Sequence, residues 1–381
     1  MSKQIIVELK TGFYSNDLDH ESIDDYDEAN KKLYDVVTFY KNKITQYYEN
    51  KSWDKYKKLS NEYELIFTSP NANYNVSKYS PVSRSFFKLW EILHDFNIDL
   101  GSDGPINCLF LAEGPGGFVE AMIKYRHDYF KELCNDDKYW GMTLKSSNKS
   151  VPDWKYKSSN FSVLFGKDGT GNIYNIENID SLATTLQPHS MDFITADGGF
   201  DFSSDFNGQE EMSLRLLTCE ICAALKLQKT GGTFIIKVFD MFTPFSLQLI
   251  NAICSCYEKA TLIKPLTSRP ANSEKYLLCQ GFKPNPLLEQ SISNIVSGTW
   301  PFEEIGCHVP YFPYIPIDEN VKKNLVMFNM FYISRQVLYI QKTINYIKQF
   351  LHSGENFNIK KILDDHIEKV KKWCTKYNIP S

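Results

Sequence analysis

The sequence of 381 residues has no run of about 18 consecutive apolar residues, the minimum that a membrane-spanning helix needs. Its start, MSKQIIVELK, also lacks the positively charged and then apolar layout of a secretory signal. These two absences predict a soluble, intracellular protein with no membrane partner, placed in the cytoplasm or the nucleus.

A complete set of metal-binding cysteines is missing as well. The chain has nine cysteines, of which Cys219 and Cys222 have the spacing of half a zinc site, but no matching second pair follows. Cys254 and Cys256 are separated by a single residue, which is an unusual spacing for metal ligands. Scattered cysteines of an intracellular protein are mostly small buried apolar side chains. We therefore predict neither a metal site nor a disulfide.

The chain has no excess of positive charge, since its net charge is −4. This balance argues against a protein that coats nucleic acid by bulk attraction, but it leaves room for a local basic cleft. Lysines are concentrated at Lys41–Lys58 and Lys360–Lys376. Such stretches are either solvated helix faces or phosphate contacts, and the sequence leaves both interpretations open.

The hydrophobic fraction of 43% is ample for a packed core. Helical periodicities separate several strand-like runs, and this alternation predicts an α/β, Rossmann-like fold with a mostly parallel seven-stranded sheet between helices. The predicted strands are Asn107–Ala112, Tyr139–Leu144, Phe161–Phe165, Met191–Ala196, Thr233–Phe239, Ala260–Leu266 and Lys275–Gln280. The predicted helices include Ser83–His94, Phe118–Tyr129, Glu210–Leu227 and Pro244–Tyr257.

Three parts of the chain are distinguished by these patterns. Residues 76–285 hold the alternating strands and helices and form the predicted main domain. Residues 1–75 have an extended start followed by helical patterns, and residues 286–381 contain two helices, at Asn324–Phe350 and Ile359–Trp373. We expect one large domain with helical extensions at both ends.

A glycine-rich turn follows the first strand of the main domain and leads directly into a helix. The turn reads Ala112-Glu113-Gly114-Pro115-Gly116-Gly117-Phe118. Glycines let backbone N–H groups approach a ligand at the carboxyl edge of a sheet, where open α/β folds bind cofactors. Taken alone, such a turn could hold a dinucleotide, a phosphate or S-adenosylmethionine. The spacing is not G-x-x-x-x-G-K-[ST], which excludes a P-loop, and it is not G-x-G-x-x-G. The second strand also ends without an acidic residue that could bind a ribose, so binding of NAD is disfavoured.

A second glycine-rich segment, with Asp168 and Gly169, follows the third strand. An aspartate at this edge can accept a hydrogen bond from the amino group of an adenine. The same residues are also typical of an ordinary turn, because Asp and Gly dominate turns for backbone reasons. The motif alone favours the turn.

Two charged residues stand at the ends of later strands. Asp197 follows the fourth strand, where a carboxylate faces the ligand crevice. Lys237 lies in the otherwise apolar fifth strand, and burial there would lower its pKa, as a general base for a sugar hydroxyl requires. The alternative is that the Lys237 side chain reaches solvent from the strand end.

Taken together, these segments resemble the FtsJ-type RNA methyltransferases, and more narrowly the cap-specific mRNA 2′-O-methyltransferases that act on the first transcribed nucleotide. The matching segments span residues 83–282 in family order: SRSFFKLWEI, AEGPGGFVEA, GMTLK, DGTGNI, ITADGGF, GGTFIIKVFDMFTPFS and KPLTSRPANSEKYLLCQGF. The resemblance implies a Rossmann-like S-adenosylmethionine-dependent methyltransferase fold. It also implies a catalytic tetrad of Lys88, Asp197, Lys237 and Glu274, with no metal.

The resemblance further implies where S-adenosylmethionine and RNA bind. Cofactor contacts are expected from Ser83, Ala112, Glu113, Gly114, Pro115, Gly116, Gly117, Phe118, Asp168, Gly169 and Asp197. RNA contacts are expected from Arg84, Asn207, Gly208, Gln209, Arg269 and Glu274. Ser83 departs from the family pattern, which has an asparagine there.

The implied substrate is the 5′ end of capped mRNA, with its N7-methylguanosine cap and first nucleotides, and other capping or transcription proteins are expected partners. Two alternatives stay open. One is the same chemistry on ribosomal or transfer RNA, although the SRPANSE and FDMFTPFS segments favour the cap enzymes. The other is a non-catalytic scaffold that binds capped RNA. The abundance of Lys, Asn, Ile and Tyr is typical of an AT-rich genome and suggests a large DNA virus, whose factories or virions would then hold the protein.

Overall fold

The computed structural model describes residues 4–11, 24–48, 52–68, 75–101, 104–145, 151–200, 207–298, 315–353 and 359–381. A sheet of eight strands in the order β1-β7-β8-β6-β5-β2-β3-β4 runs through its centre. The strands are β1 (Ile5–Thr11), β2 (Asn107–Leu111), β3 (Lys138–Met142), β4 (Phe161–Leu164), β5 (Met191–Ala196), β6 (Gln228–Val238), β7 (Tyr257–Lys264) and β8 (Lys275–Phe282).

Strands β2, β3, β4, β5 and β6 run parallel to one another. Strand β8 runs antiparallel to both of its neighbours, β6 and β7, and β1 runs antiparallel to β7. The described α-helices are α1 (Asp24–Tyr48), α2 (Ser52–Ser60), α3 (Ser85–Asp95), α4 (Gly117–Phe130), α5 (Ile176–Leu186), α6 (Gln209–Leu227), α7 (Pro244–Ser255), α8 (Pro286–Ser297), α9 (Glu319–Ser353) and α10 (Ile359–Lys376).

Both faces of the sheet are buried, as the continuous apolar character of the strands requires. Because successive side chains of a strand point to opposite faces, Leu109 and Leu111 of β2 join one core cluster while Cys108 and Phe110 join the other. Helices α1 and α5 to α9 contribute to the first cluster, and α3, α4 and α10 contribute to the second. The sheet is therefore the middle layer of an α/β/α sandwich.

The predicted α/β fold is confirmed, with one change in the sheet. It has eight strands rather than seven, because the extended start of the predicted N-terminal extension pairs with β7 as the edge strand β1. The seven predicted strands are all present, with their ends shifted by up to five residues. Two short helices, α5 and α8, were not predicted.

Candidate active site

The topology of the sheet brings the charged residues of separate segments to one edge. Strands β2, β5 and β6 are parallel, so their carboxyl ends meet there with Asp197 and Lys237. Strand β8 is antiparallel to β6, and its first residues therefore lie at the same edge. This reversal is what places Glu274, which precedes β8, beside residues that end the parallel strands.

The four residues of the predicted tetrad form two ion pairs. Lys88 of α3 donates to Glu274, with Nζ at 2.7 Å from Oε1 and 2.8 Å from Oε2. The ammonium group of Lys237 lies 3.1 Å from Oδ1 of Asp197 and donates to its backbone carbonyl over 2.7 Å. All four side chains are at most 13% exposed. The structure thus brings together residues from four separate segments of the chain.

The charge state of Lys237 differs from the sequence-based prediction. Burial does lower its pKa, but the carboxylates of Asp197 and Glu274 and the hydrogen bond to Asp197 more than compensate, so that the pKa is raised above its ordinary value. The prediction of a depressed pKa is therefore wrong, because it counted burial but omitted the facing carboxylates. Lys237 is a cation at neutral pH.

Glu274 is held as a carboxylate. Although burial favours its neutral form, the ammonium groups of Lys88, Lys237 and Lys264 keep the pKa of Glu274 well below its usual range. A buried, ionised acid between lysines can fix the positions of both of them through charge-assisted hydrogen bonds.

Two further residues complete the surroundings of Asp197. The hydroxyl of Tyr276 donates to Oδ1 of Asp197 over 2.9 Å, and Tyr276 lies directly opposite Lys237 in the pairing of β6 with β8. Glu220 of α6 lies near Gly198, and burial raises its pKa to about 8. Sequence reasoning missed both residues, although an acidic residue in the apolar run around Cys219 and Ile221 was a usable signal.

A cavity of about 510 Å³ opens directly beside the tetrad and contains Asp197 and Lys237 in its wall. Its volume falls within the roughly 300–1,000 Å³ typical of sites for small ligands. The wall is shared by the ends of β2, β3 and β5, by residues 151–152 and 171–174, and by the start of α3. Of the predicted cofactor residues, Ser83, Ala112, Gly114, Pro115 and Asp197 line it.

The glycine-rich turn is required for close packing. Gly116 has a left-handed backbone with φ of +106°, and a Cβ there would come within 2.9 Å of the Cβ of Tyr156. A Cβ on Gly117 would collide with the hydroxyls of Ser83 and Ser85. The absent side chains therefore let the turn lie against α3 and against the segment that follows β3.

Other predicted cofactor residues point elsewhere. The Asp168 carboxylate accepts hydrogen bonds from Thr170 and Asn175 within its own turn and lies outside the cavity wall, as does Gly169. Asn172, four residues further on, does line the cavity. The structure thus matches the turn interpretation of Asp168. Glu113 is buried beneath the loop, where its Oε1 accepts from the backbone N–H of Val119.

The predicted RNA-binding residues fall into two groups. The terminal nitrogens of the Arg84 guanidinium donate to the backbone carbonyls of four residues, Tyr63, Glu64, Phe67 and Thr267, while its buried Nε has no hydrogen-bond partner among the described residues. These bonds give Arg84 a structural role, and the residue also lines the cavity beside the tetrad. Asn207, Gly208 and Gln209 lie at the start of α6, facing α1, where Asn207 donates to Asn42.

Arg269 is part of the loop that leads to Glu274. Its guanidinium is held by a bidentate pair with Glu64 at 2.9 and 2.7 Å, and its side chain keeps 34% of its surface exposed. Unlike Arg84, it retains an open face.

The terminal helices support the elements that carry the tetrad. In α9, the Tyr332 hydroxyl donates to the carbonyl of Asn272, and Gln336 donates to that of Ala271 over 3.2 Å. At the other face, Trp90 of α3 donates to the carbonyl of Tyr377, just after α10. The regions predicted as extensions thus brace both the Glu274 loop and the Lys88 helix.

No described group of histidine, cysteine, aspartate and glutamate side chains is arranged to hold a metal ion. Within the same described ranges, every helix is too short or too polar to cross a bilayer.

Comparison with known sequences identifies the family. The family model of FtsJ-like methyltransferases matches residues 81–282, which is more than half of the chain. The chain belongs to the FtsJ-like methyltransferase family. This confirms the resemblance inferred from the motifs, and the matched range contains all four tetrad residues.

Curated relatives of this FtsJ-like methyltransferase are named for a specific activity. Cap-specific mRNA (nucleoside-2'-O-)-methyltransferase 1 of Homo sapiens is 31% identical over 294 residues, which are 74% of this chain and 32% of the relative. The protein of the same name from Danio rerio is 39% identical over 180 residues, or 45% of this chain and 21% of the relative. The match thus spans a third or less of the length of these relatives.

Among solved structures, a ribosomal RNA methyltransferase from Plasmodium falciparum is 21% identical and aligns with 53% of this chain and 99% of that chain. Its TM-score of 0.38 is too low to support any further argument.

Proposed function

We propose that this FtsJ-like methyltransferase transfers a methyl group from S-adenosylmethionine to the ribose 2′-oxygen of the first transcribed nucleotide of capped mRNA. The observation that carries the proposal is that two ion pairs, Lys88–Glu274 and Lys237–Asp197, lie together at one side of a ligand-sized cavity. The cap-specific relatives support the choice of substrate.

The cavity fits the methyl donor in size and chemistry. Apolar walls from Pro115, Leu144 and Ile173 suit an adenosyl group, and the amide of Asn172 can bind the polar edge of an adenine. The Asp197 carboxylate in the wall favours a ligand that carries positive charge. When bound, S-adenosylmethionine supplies an electrophilic methyl group on a positively charged sulfur.

Lys237 is the residue proposed to accept the proton of the ribose hydroxyl. Its raised pKa makes it a cation at neutral pH, so it must lose a proton before it can act as a base. An additional positive charge in the cavity would lower its pKa, because like charges disfavour the protonated form. Asp197 and Glu274 keep the two lysines in place, and alignment of the hydroxyl with the methyl group contributes much of the remaining acceleration.

The proposal is tested by methyl transfer from labelled S-adenosylmethionine to two matched short RNAs, one with an N7-methylguanosine cap and one with a 5′-triphosphate. We expect label on the 2′-oxygen of the first nucleotide of the capped RNA alone. Equal labelling of both RNAs would assign the protein to structured or general RNA substrates instead. Cofactor binding without any labelling would favour the scaffold interpretation.

The rate of methyl transfer should rise with pH. The protonated form of Lys237 is inactive as a base, so log kcat is expected to increase by about one unit per pH unit below the pKa of Lys237 in the complex and then to level off. Measurement of kcat between about pH 6 and 9 at saturating substrates checks this, with cofactor affinity measured in parallel as the control. A flat profile would mean that methyl transfer does not depend on prior deprotonation of Lys237, and it would contradict the role of Lys237 as the base.

A further inference from the structure

Helix α3 holds the loop between β7 and β8, which we call the Glu274 loop (residues 265–274), at three points. Arg84, Lys88 and Glu91 follow one another at spacings of four and three residues, which places them on one face of the helix. Arg84 donates to a carbonyl of the loop over 3.1 Å. Lys88 pairs with Glu274, and Glu91 accepts from backbone N–H groups at the start of the loop. The reaction proposed above uses only the middle one of these three contacts.

The fully buried carboxylate of Glu91 binds donors with both of its oxygens. Its Oε1 accepts from the backbone N–H of Leu266 over 2.7 Å, and its Oε2 accepts from the backbone N–H and the hydroxyl of Thr267 over 3.1 and 2.9 Å. The indole N–H of Trp373 in α10 donates to the same Oε2 over 3.4 Å. Because each of these partners is a donor, the arrangement suits the ionised carboxylate rather than the neutral acid.

Burial and these hydrogen bonds act on the charge of Glu91 in opposite directions. Burial raises the pKa, and Asp95 of the same helix adds to the rise, whereas the hydrogen bonds from Leu266 and Thr267 lower it. The resulting pKa of Glu91 is about 7. Glu91 is therefore mostly ionised at about pH 8, which is the pH at which its contribution is best measured.

The next residue of the loop connects the contact at Glu91 to the tetrad. Ser268 follows Thr267 directly, and its buried hydroxyl donates to Oε1 of Glu274 over 2.8 Å. Glu274 in turn forms its ion pair with Lys88, which lies one turn before Glu91 in α3. The contacts thus form a closed ring from α3 to the loop and back to α3. A shift of the start of the loop would therefore change the position of the Glu274 carboxylate relative to Lys88.

We propose that Glu91 is a positioning residue for methyl transfer, which fixes the start of the Glu274 loop on α3 and thereby sets the geometry of the Lys88–Glu274 pair. Position matters here because a displacement of about 1 Å at a catalytic group can cost about 10²-fold in rate. The inference rests on the proposed function for the reaction that Glu91 supports. The contact between Glu91 and the loop is independent of that reaction.

Two variants weaken the contact from its two sides. Glu91→Gln keeps the size of the side chain but replaces one accepting oxygen by an NH₂ group, which cannot accept from the loop. We expect it to lower the single-turnover rate of methyl transfer at about pH 8 by about 10- to 100-fold, with unchanged affinity for S-adenosylmethionine. Thr267→Val removes one donor from the loop side and should lower the rate by a smaller factor. It keeps the proposal testable if Glu91→Gln folds poorly.

Trp373→Phe is the matched control. It removes a hydrogen bond from the same carboxylate, but on the side of α10, and leaves both bonded loop residues in place. Trp373 is buried and packs against Phe87 of α3, so its replacement should lower the melting temperature. The rate of methyl transfer per folded molecule should remain that of the wild type.

A double-mutant cycle with Glu274→Gln separates positioning from a general loss of stability. If Glu91 acts through the Lys88–Glu274 pair, Glu91→Gln should change the rate by no more than about twofold once Glu274 has been replaced. A general loss of stability would reduce the rate by the same factor in both backgrounds. Equal factors, or a wild-type rate in Glu91→Gln alone, would overturn the assignment.

Hydrogen exchange distinguishes failure of this proposal from failure of the proposed function, because it needs neither RNA nor turnover. In Glu91→Gln, peptides that cover Leu266 and Thr267 should exchange about tenfold faster than in the wild type, whereas Trp373→Phe should accelerate exchange in α10 alone. Unchanged exchange of these peptides in Glu91→Gln would contradict the proposed role. Faster exchange in a protein whose wild type methylates no capped RNA would contradict the proposed reaction and support the contact between Glu91 and the loop.

Discussion

Replacement of Lys237 by methionine is expected to reduce methyl transfer by about 10²–10⁴-fold, the usual contribution of a positioned general base. Methionine has a similar length and an apolar character that suits the β6 environment, where Lys237 is buried. It removes the ammonium group that donates to Asp197 over 2.7 Å. The fold should persist, because Asp197 keeps its hydrogen bond from Tyr276. Single-turnover methyl transfer and calorimetric cofactor binding measure the two effects separately.

Lys229→Met provides the matched control for this variant. Lys229 lies in the same strand, but its side chain is 57% exposed and is paired with Asp192 away from the cavity. It should retain the wild-type rate. If Lys237→Met lost less than tenfold in rate, another group would have to take the proton, and the assignment of Lys237 would be wrong. If it lost cofactor binding as well, Lys237 would instead be a binding residue.

Half of the tetrad could be predicted from the sequence pattern alone, because Asp197 and Lys237 sit at the ends of recognisable strands. Asp197 and Lys237 follow or end apolar strands, and parallel strands meet at their carboxyl edge. The antiparallel direction of β8, which brings Glu274 to that edge, is not visible in the strand pattern alone. Glu274 and Lys88 were therefore found only through the resemblance to a family.

Interactions between distant segments explain what the sequence could not show. The pKa of Lys237 depends on Asp197 and Glu274, which are 40 and 37 residues away in sequence. Arg84 was expected at RNA phosphates, but its guanidinium is used by four carbonyls from two separate segments. The local sequence pattern predicts the helix or strand on which a residue lies. The groups that its side chain contacts depend on how the helices and strands pack against one another.

The same limit applies to the terminal regions. Apart from α8, their helices were visible as apolar periodicities, but their role was not. Tyr332 and Gln336 of α9 hold the carbonyls of the Glu274 loop, and β1 extends the sheet beyond β7. These contacts make the ends of the chain part of the support for the site, although the family match covers only residues 81–282.

A buried charge cluster links the N-terminal helix α1 to this loop. The Asp240 carboxylate accepts from Lys41 of α1 at 2.6 Å and from the Ser273 hydroxyl at 3.1 Å, and it lies 3.4 Å from the ammonium group of Lys275. Although burial favours the neutral acid, Lys41 and Lys275 lower the pKa of Asp240 to about 2. Two buried lysines thus depend on one carboxylate.

Replacement of Asp240 by leucine is expected to lower the free energy of unfolding by about 3–5 kcal/mol, the usual cost of removing one partner from a buried ion pair. The loss arises because Lys41 and Lys275 would remain buried without a counter-charge. Urea denaturation at neutral pH measures it. Asp180→Leu is the control, since Asp180 pairs with Lys226 at the surface and is 54% exposed. That change should cost about 0–1 kcal/mol.

The pH dependence gives this prediction a second test. The pKa of Asp240 is about 2 in the folded protein and about 3.9 in an unfolded chain, so its contribution is fully present above about pH 4 and is lost as the pH falls towards 2. Wild-type protein should therefore lose stability over that interval more steeply than Asp240→Leu, and the difference between them should shrink. A constant difference from neutral to acid pH, or a loss no larger than that of Asp180→Leu, would mean that the cluster does not stabilise the fold through charge. In that case the hydrogen bond from Ser273 would be left as the link between Asp240 and the Glu274 loop.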